Sequence, residues 1–218
     1  MDTWPPHFRV IGQAFLDWWD DWVQMTVVSV IWILCWLTIV LGPPATLGLV
    51  YVGHRLTYGD SQGSSGLLAG GRQYFLTAWR WMGLNLLVAI IIAVDVRFYG
   101  QFDTPLSFLV QWVFVFAGIL WGVVQFYALP YLMEQDEKSW RLALRNGLFT
   151  ALAAPGYTLV IVGAAALIVA VSVFLIVPLF LGAPALLAVL GSHAVRERLA
   201  TYRVREREAH KQQNEREV

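Results

Sequence analysis

Four stretches of this chain are long and apolar enough to cross a lipid bilayer, and they constrain the fold more than any other feature. A helix needs about 20 mostly apolar residues to span the hydrocarbon core, and such runs occupy residues 24–41, 81–96, 106–129 and 155–195. The last is too long for one crossing, since some 40 residues at about 1.5 Å each reach roughly twice the core thickness. It also carries "VPLFLGAP", in which Pro178, Gly182 and Pro184 interrupt a continuous helix. It reads as a hairpin of two spans, residues 156–177 and 179–195, which brings the total to five. Composition agrees: 58% of residues are hydrophobic and 14% charged, against about 25% charged in soluble domains. The predicted fold is an all-α integral membrane protein of about five transmembrane helices with short interfacial amphipathic helices. Residues 1–199 form one membrane domain and residues 200–218 a charged cytoplasmic tail.

The segment before the first run is acidic and lacks a basic flank, so it does not read as a cleavable signal. Lys and Arg of short loops collect on the cytoplasmic side. With five spans, one face holds Arg55, Arg72, Arg80, Lys138, Arg141, Arg145 and the basic tail, while the other holds only Arg9 and Arg97. This separation predicts a multi-pass membrane protein with the N-terminus outside and the C-terminus in the cytoplasm. The single cysteine, Cys35, lies within an apolar run and excludes an internal disulfide.

Three shorter segments have the pattern of surface helices. In residues 13–23, Phe15, Trp18, Trp19 and Trp22 recur at helical spacing opposite Asp17, Asp20, Asp21 and the following Gln24, as expected of an anchor on the outer face or of an acidic docking or cation-collecting strip. After Gly42-Pro43-Pro44 resets the chain, residues 45–57 are too short to cross and are expected along the cytoplasmic face, with His54 and Arg55 at headgroup level. Residues 137–152 place Trp140, Ala143, Leu144 and Gly147 on one side and Lys138, Arg141 and Arg145 on the other, a face for anionic lipid or for a partner. The Gly- and Ser-rich stretch 63–71 reads as a flexible loop.

Polar residues inside the spans are few: Asn85, Asp95, Gln111 and Gln125. Gln111 and Gln125 fall on nearly one helix face, suited to helix-to-helix hydrogen bonds or to lining a pathway. There is no phosphate-cradling glycine loop, HExxH or GxSxG, and the four histidines are scattered. Neither catalytic residues nor metal ligands nor a cofactor are expected, and nucleic acid is an unsuitable partner for a chain with no net charge.

"TIVLGPPATLGLVYVGHRL" resembles the signature of the YesL-like family of bacterial membrane proteins, in which a first span ends in a Gly-Pro-Ala-Thr turn followed by a short helix. Here the turn is Gly42-Pro43-Pro44-Ala45-Thr46, with one extra proline. The resemblance continues through "NLLVAIIIAVDVRFY", with the family's aspartate at Asp95, and through "WRLALRNGLFTALAAPG", covering residues 15–199 apart from the stretch 63–71. The family has no established activity, and its members are often associated with ATP-driven carbohydrate uptake. The resemblance thus implies a non-enzymatic accessory or scaffold subunit of a larger membrane transporter complex. The alternative from another class is a small transporter or channel, acting alone or as a homo-oligomer.

Overall fold

The computed structural model describes the backbone of residues 5–217, and the side chains of these except 205, 206, 209, 210 and 213–217. Val218 and the side chains of Arg205, His210 and Arg216, part of the predicted tail, lie outside the described residues. The chain is helical with no strand among the described residues: α1 (Pro6–Asp20), α2 (Trp22–Leu37), α3 (Gly42–Leu56), α4 (Gly63–Gln73), α5 (Phe75–Tyr99), α6 (Pro105–Glu134), α7 (Trp140–Ala153), α8 (Pro155–Leu175), α9 (Val177–Phe180) and α10 (Ala183–Glu217). Prolines stand in the first turns of α1, α3, α6, α8 and α9, where the missing N–H costs no helical bond. Thr104 closes the start of α6 in a reciprocal capping box with Ser107.

The protein is an all-helical membrane protein. Helices α5, α6 and α8 are long and apolar enough to cross a bilayer, and α1 with α2, bent by 90° at their junction, makes a fourth if that pair is one span. Of the predicted segment 179–195, Leu179 and Phe180 end α9 and residues 183–195 begin α10, which is mostly buried there among neighbouring helices and runs without a break into the charged tail.

The core is built around α3, the segment whose length suits a helix lying along or dipping into the cytoplasmic face. Eleven of its residues, from Gly42 to Leu56, are buried, because α2, α4, α5, α6 and α10 all pack on it. Small residues allow this. A Cβ on Gly53 would stand 2.7 Å from the backbone of Ala188 in α10, and one on Gly48 would meet the Leu67 carbonyl of α4. Helices in lipid gain little from apolar association alone, so close backbone approach through small residues supplies packing energy instead. The same logic explains α4. Its Gly and Ser content, read as flexibility, lets Gly66 and Gly70 press against Val52 and Tyr51 of α3.

The Gly-Pro-Pro-Ala-Thr turn has a defined task here. Thr46 Oγ1 accepts the indole N–H groups of Trp32 (3.1 Å) and Trp36 (3.2 Å) while donating to the Gly42 carbonyl. Gly42 lies under the Trp36 ring. One threonine hydroxyl thereby ties α2 to the start of α3.

Candidate functional site at the base of the charged arm

Several charged residues meet where α1, the end of α3 and the middle of α10 converge. Arg9 Nη2 of α1 lies 2.6 Å from Glu197 Oε1 of α10. One turn earlier on α10, His193 Nε2 is 2.7 Å from Asp17 Oδ2 of α1. Arg196, between them, donates to the Thr57 carbonyl at the end of α3 and stands 4.6 Å over the Tyr58 ring. Tyr58 donates to Glu134 Oε1 of α6 at 2.9 Å, and His54 Nε2 lies 3.2 Å from the same oxygen. These groups border a polar cleft of about 540 Å³ lined by Arg9, Gln13, Asp17, Thr57, His193 and Glu197.

Chemically, the arrangement is a set of closed pairs. Each charge has an opposite charge or a carbonyl, and Thr57 Oγ1 is spent on the His54 carbonyl at 2.7 Å. No group of three or more potential metal-ligating side chains occurs among the described residues. The consequence is mechanical. Four helices are bound together at the level where α10 leaves the bundle, and this fixes the direction of its charged half. Beyond this point Arg203, Val204, Arg207, Glu208 and Lys211 are exposed.

The residues singled out in the sequence scatter across this frame. His54 joins the Glu134 cluster, and Arg55 pairs with Asp60 at 2.5 Å. Lys138 is folded back, donating to the carbonyls of Met133 (2.9 Å) and Gln135 with the Tyr74 ring 5.9 Å away. Burial holds its ammonium below the usual lysine range. Arg141 and Arg145 on α7 are exposed and have no ion-pair partner among the described residues. Within the spans, Trp81 Nε1 donates to Gln125 Oε1 and Trp121 Nε1 donates to Asn85 Oδ1, both at 2.9 Å. Asn85 also donates to the Trp81 carbonyl at 2.9 Å. These bonds bind α5 to α6. Gln111 lies at the far end of that pair, beside Gly100 and Arg97 in an open recess, and Asp95 is half-buried one turn away.

Sequence reasoning placed Asp17 only on the acidic side of residues 13–23 and missed the interactions of Glu134, His193, Arg196 and Glu197. Asp17 and His193 are 176 positions apart, and neither sits in a motif, so no local signal joins them.

Comparison with known protein families, curated proteins and solved structures returns no match.

Proposed function

We propose that this chain is a non-enzymatic accessory subunit that presents a rigid charged arm to a larger membrane protein, in line with the resemblance to proteins associated with ATP-driven carbohydrate uptake. The observation that carries the reading is α10 itself. It is a single helix of 35 residues, Ala183–Glu217, about 52 Å long at 1.5 Å per residue. Its first half is held inside the bundle, and pairs to α1 and α3 brace the point where it emerges. Intramembrane polar groups give the transporter reading less support, because Asn85 and Gln125 are engaged in bonds between α5 and α6.

The charge distribution supports a cytoplasmic location for the arm, for α4 and for α7. The Arg9–Glu197 and Asp17–His193 contacts support placing α1 on that same face, in place of the external N-terminus expected from the sequence. Arg97 is then the one basic residue outside. Cysteines introduced singly in a Cys35→Ser background test this in intact cells. An impermeant thiol reagent should reach Gln101→Cys and spare Gln13→Cys and Ser65→Cys; labelling at position 13 would restore the external N-terminus.

The function itself is tested by extracting N-terminally tagged protein in mild detergent. It should come with the membrane subunits of an ATP-driven transporter, and truncation after Leu199 should abolish that recovery while the bundle remains folded. Purification as a lone homo-oligomer, with solute flux in vesicles that is lost on Gln125→Leu, would replace this reading with the transporter one.

A further inference from the structure

Helix α7 packs against the C-terminal half of α6. Ala143, Gly147, Thr150 and Ala151 form its buried face, and Gly147 brings the two backbones together, since a Cβ there would stand 2.9 Å from the Val124 carbonyl. Tyr131 and Thr150 share a hydroxyl bond of 2.8 Å. Beside this contact the two helices leave an apolar groove of about 380 Å³, walled by Ala117, Leu120 and Val124 of α6 and by Leu144 and Leu148 of α7, with Arg145 at its edge. A cavity of about 150 Å³ takes up benzene, so this groove has room for a longer hydrocarbon segment.

Three features say what covers it. The first is charge: Arg145 and Arg141, one helical turn apart, are exposed and have no carboxylate within ion-pair distance among the described residues, unlike the paired Arg9 and Arg55. The second is depth. Trp121, which also lines the groove, and Trp140, stacked on Trp81 at 6.5 Å, belong to the residue type that gathers at the boundary between headgroups and hydrocarbon. The third is continuity with lipid, because Phe116, Ile119, Phe149 and Leu152 around the groove are exposed apolar side chains on helices of a membrane protein.

We infer that the α6–α7 groove is a binding site for one anionic phospholipid, with an acyl chain against Ala117, Leu120 and Leu148 and the phosphate on Arg145 and Arg141. Lys138, expected to share this face, is turned back into its own loop and takes no part. The assignment does not depend on the accessory-subunit reading. It makes α7 a lipid-reading element, so the association of this chain with its membrane region depends on headgroup charge.

Native mass spectrometry of the full chain in detergent tests it, with phosphatidylglycerol and phosphatidylcholine of identical acyl chains as probes. Phosphatidylglycerol should bind more tightly. Arg145→Gln and Arg141→Gln should each weaken it about five-fold, equivalent to about 1 kcal/mol per basic residue, with phosphatidylcholine unchanged and the preference kept in Arg145→Lys. Ala117→Phe, which fills the groove, should weaken both lipids equally. Equal binding of the two lipids, or an undiminished preference in both glutamine variants, would overturn the assignment. So would loss of a co-purifying protein in Arg145→Gln with lipid binding intact, which would make α7 a protein contact.

Discussion

Helices α3 and α5, separated in the sequence by α4, have opposite environments. In α5, no residue of the most apolar stretch is buried, and its large side chains such as Leu87, Ile90 and Val94 point outward. In α3, which is shorter and interrupted by glycines, most residues are buried. Hydropathy therefore marks the helices that face lipid, whereas the helix at the centre is marked by small residues. The physical reason is that apolar side chains gain nothing by leaving lipid for protein, so the centre of such a bundle is filled by backbones that can approach closely. The share of buried residues in the most apolar stretch rises from 0% in α5 to 11% in α6 and 22% in α8, so even the strongest spans are mostly lipid-facing.

The largest expected effect breaks this contrast at its centre. Gly53→Val places branched carbons against the Ala188 backbone and should destabilise the bundle by about 3 kcal/mol, the upper end of ordinary overpacking. Gly83→Val in α5, where nothing lies within 4 Å of an added Cβ, should stay within about 0.5 kcal/mol. Thermal unfolding in detergent, followed by circular dichroism, separates the two, and equal losses would show that α5 is as tightly packed as α3. Next comes the brace of the arm. Asp17→Ala leaves His193, 7% exposed, without its partner and should cost about 1–3 kcal/mol. It should also raise the rate at which a protease cleaves within α1, while unchanged cleavage would mean that Arg9–Glu197, Trp18–Gly182 and the buried Val10 and Ala14 hold α1 without this pair. The smallest effect sharpens the comparison within the lipid-facing pair. Asn85→Leu or Gln125→Leu removes one interhelical bond each and should cost about 0.6 kcal/mol, no more than about 1.7, without altering helix content. A loss several times larger would mean that α5 and α6 depend on these bonds for their pairing.

Periodicity and hydropathy are read locally, and what they could reach was reached: the apolar runs of α5, α6 and α8, the amphipathic pattern of α7 and the proline that restarts the chain at α3. The Gly- and Ser-rich stretch 63–71 reads as a loop because its composition is the same for a linker and for a helix that packs closely, and only the presence of Gly48, Tyr51 and Val52 of α3 at the right distance distinguishes them. Length and hydropathy likewise carry no sign that the first half of α10 is enclosed by neighbouring helices.

By itself, the sequence determined that this chain carries helices long and apolar enough to cross a membrane and where α5, α6 and α8 lie along it, because both follow from the transfer energy of residues within one helix. The tertiary structure alone decided that α3 is the core, that Asn85 and Gln125 bind helices together, and that Arg9 meets Glu197 across 188 positions. Those outcomes depend on which backbones approach closely enough for side chains far apart in the sequence to meet, and that proximity arises only when the helices pack.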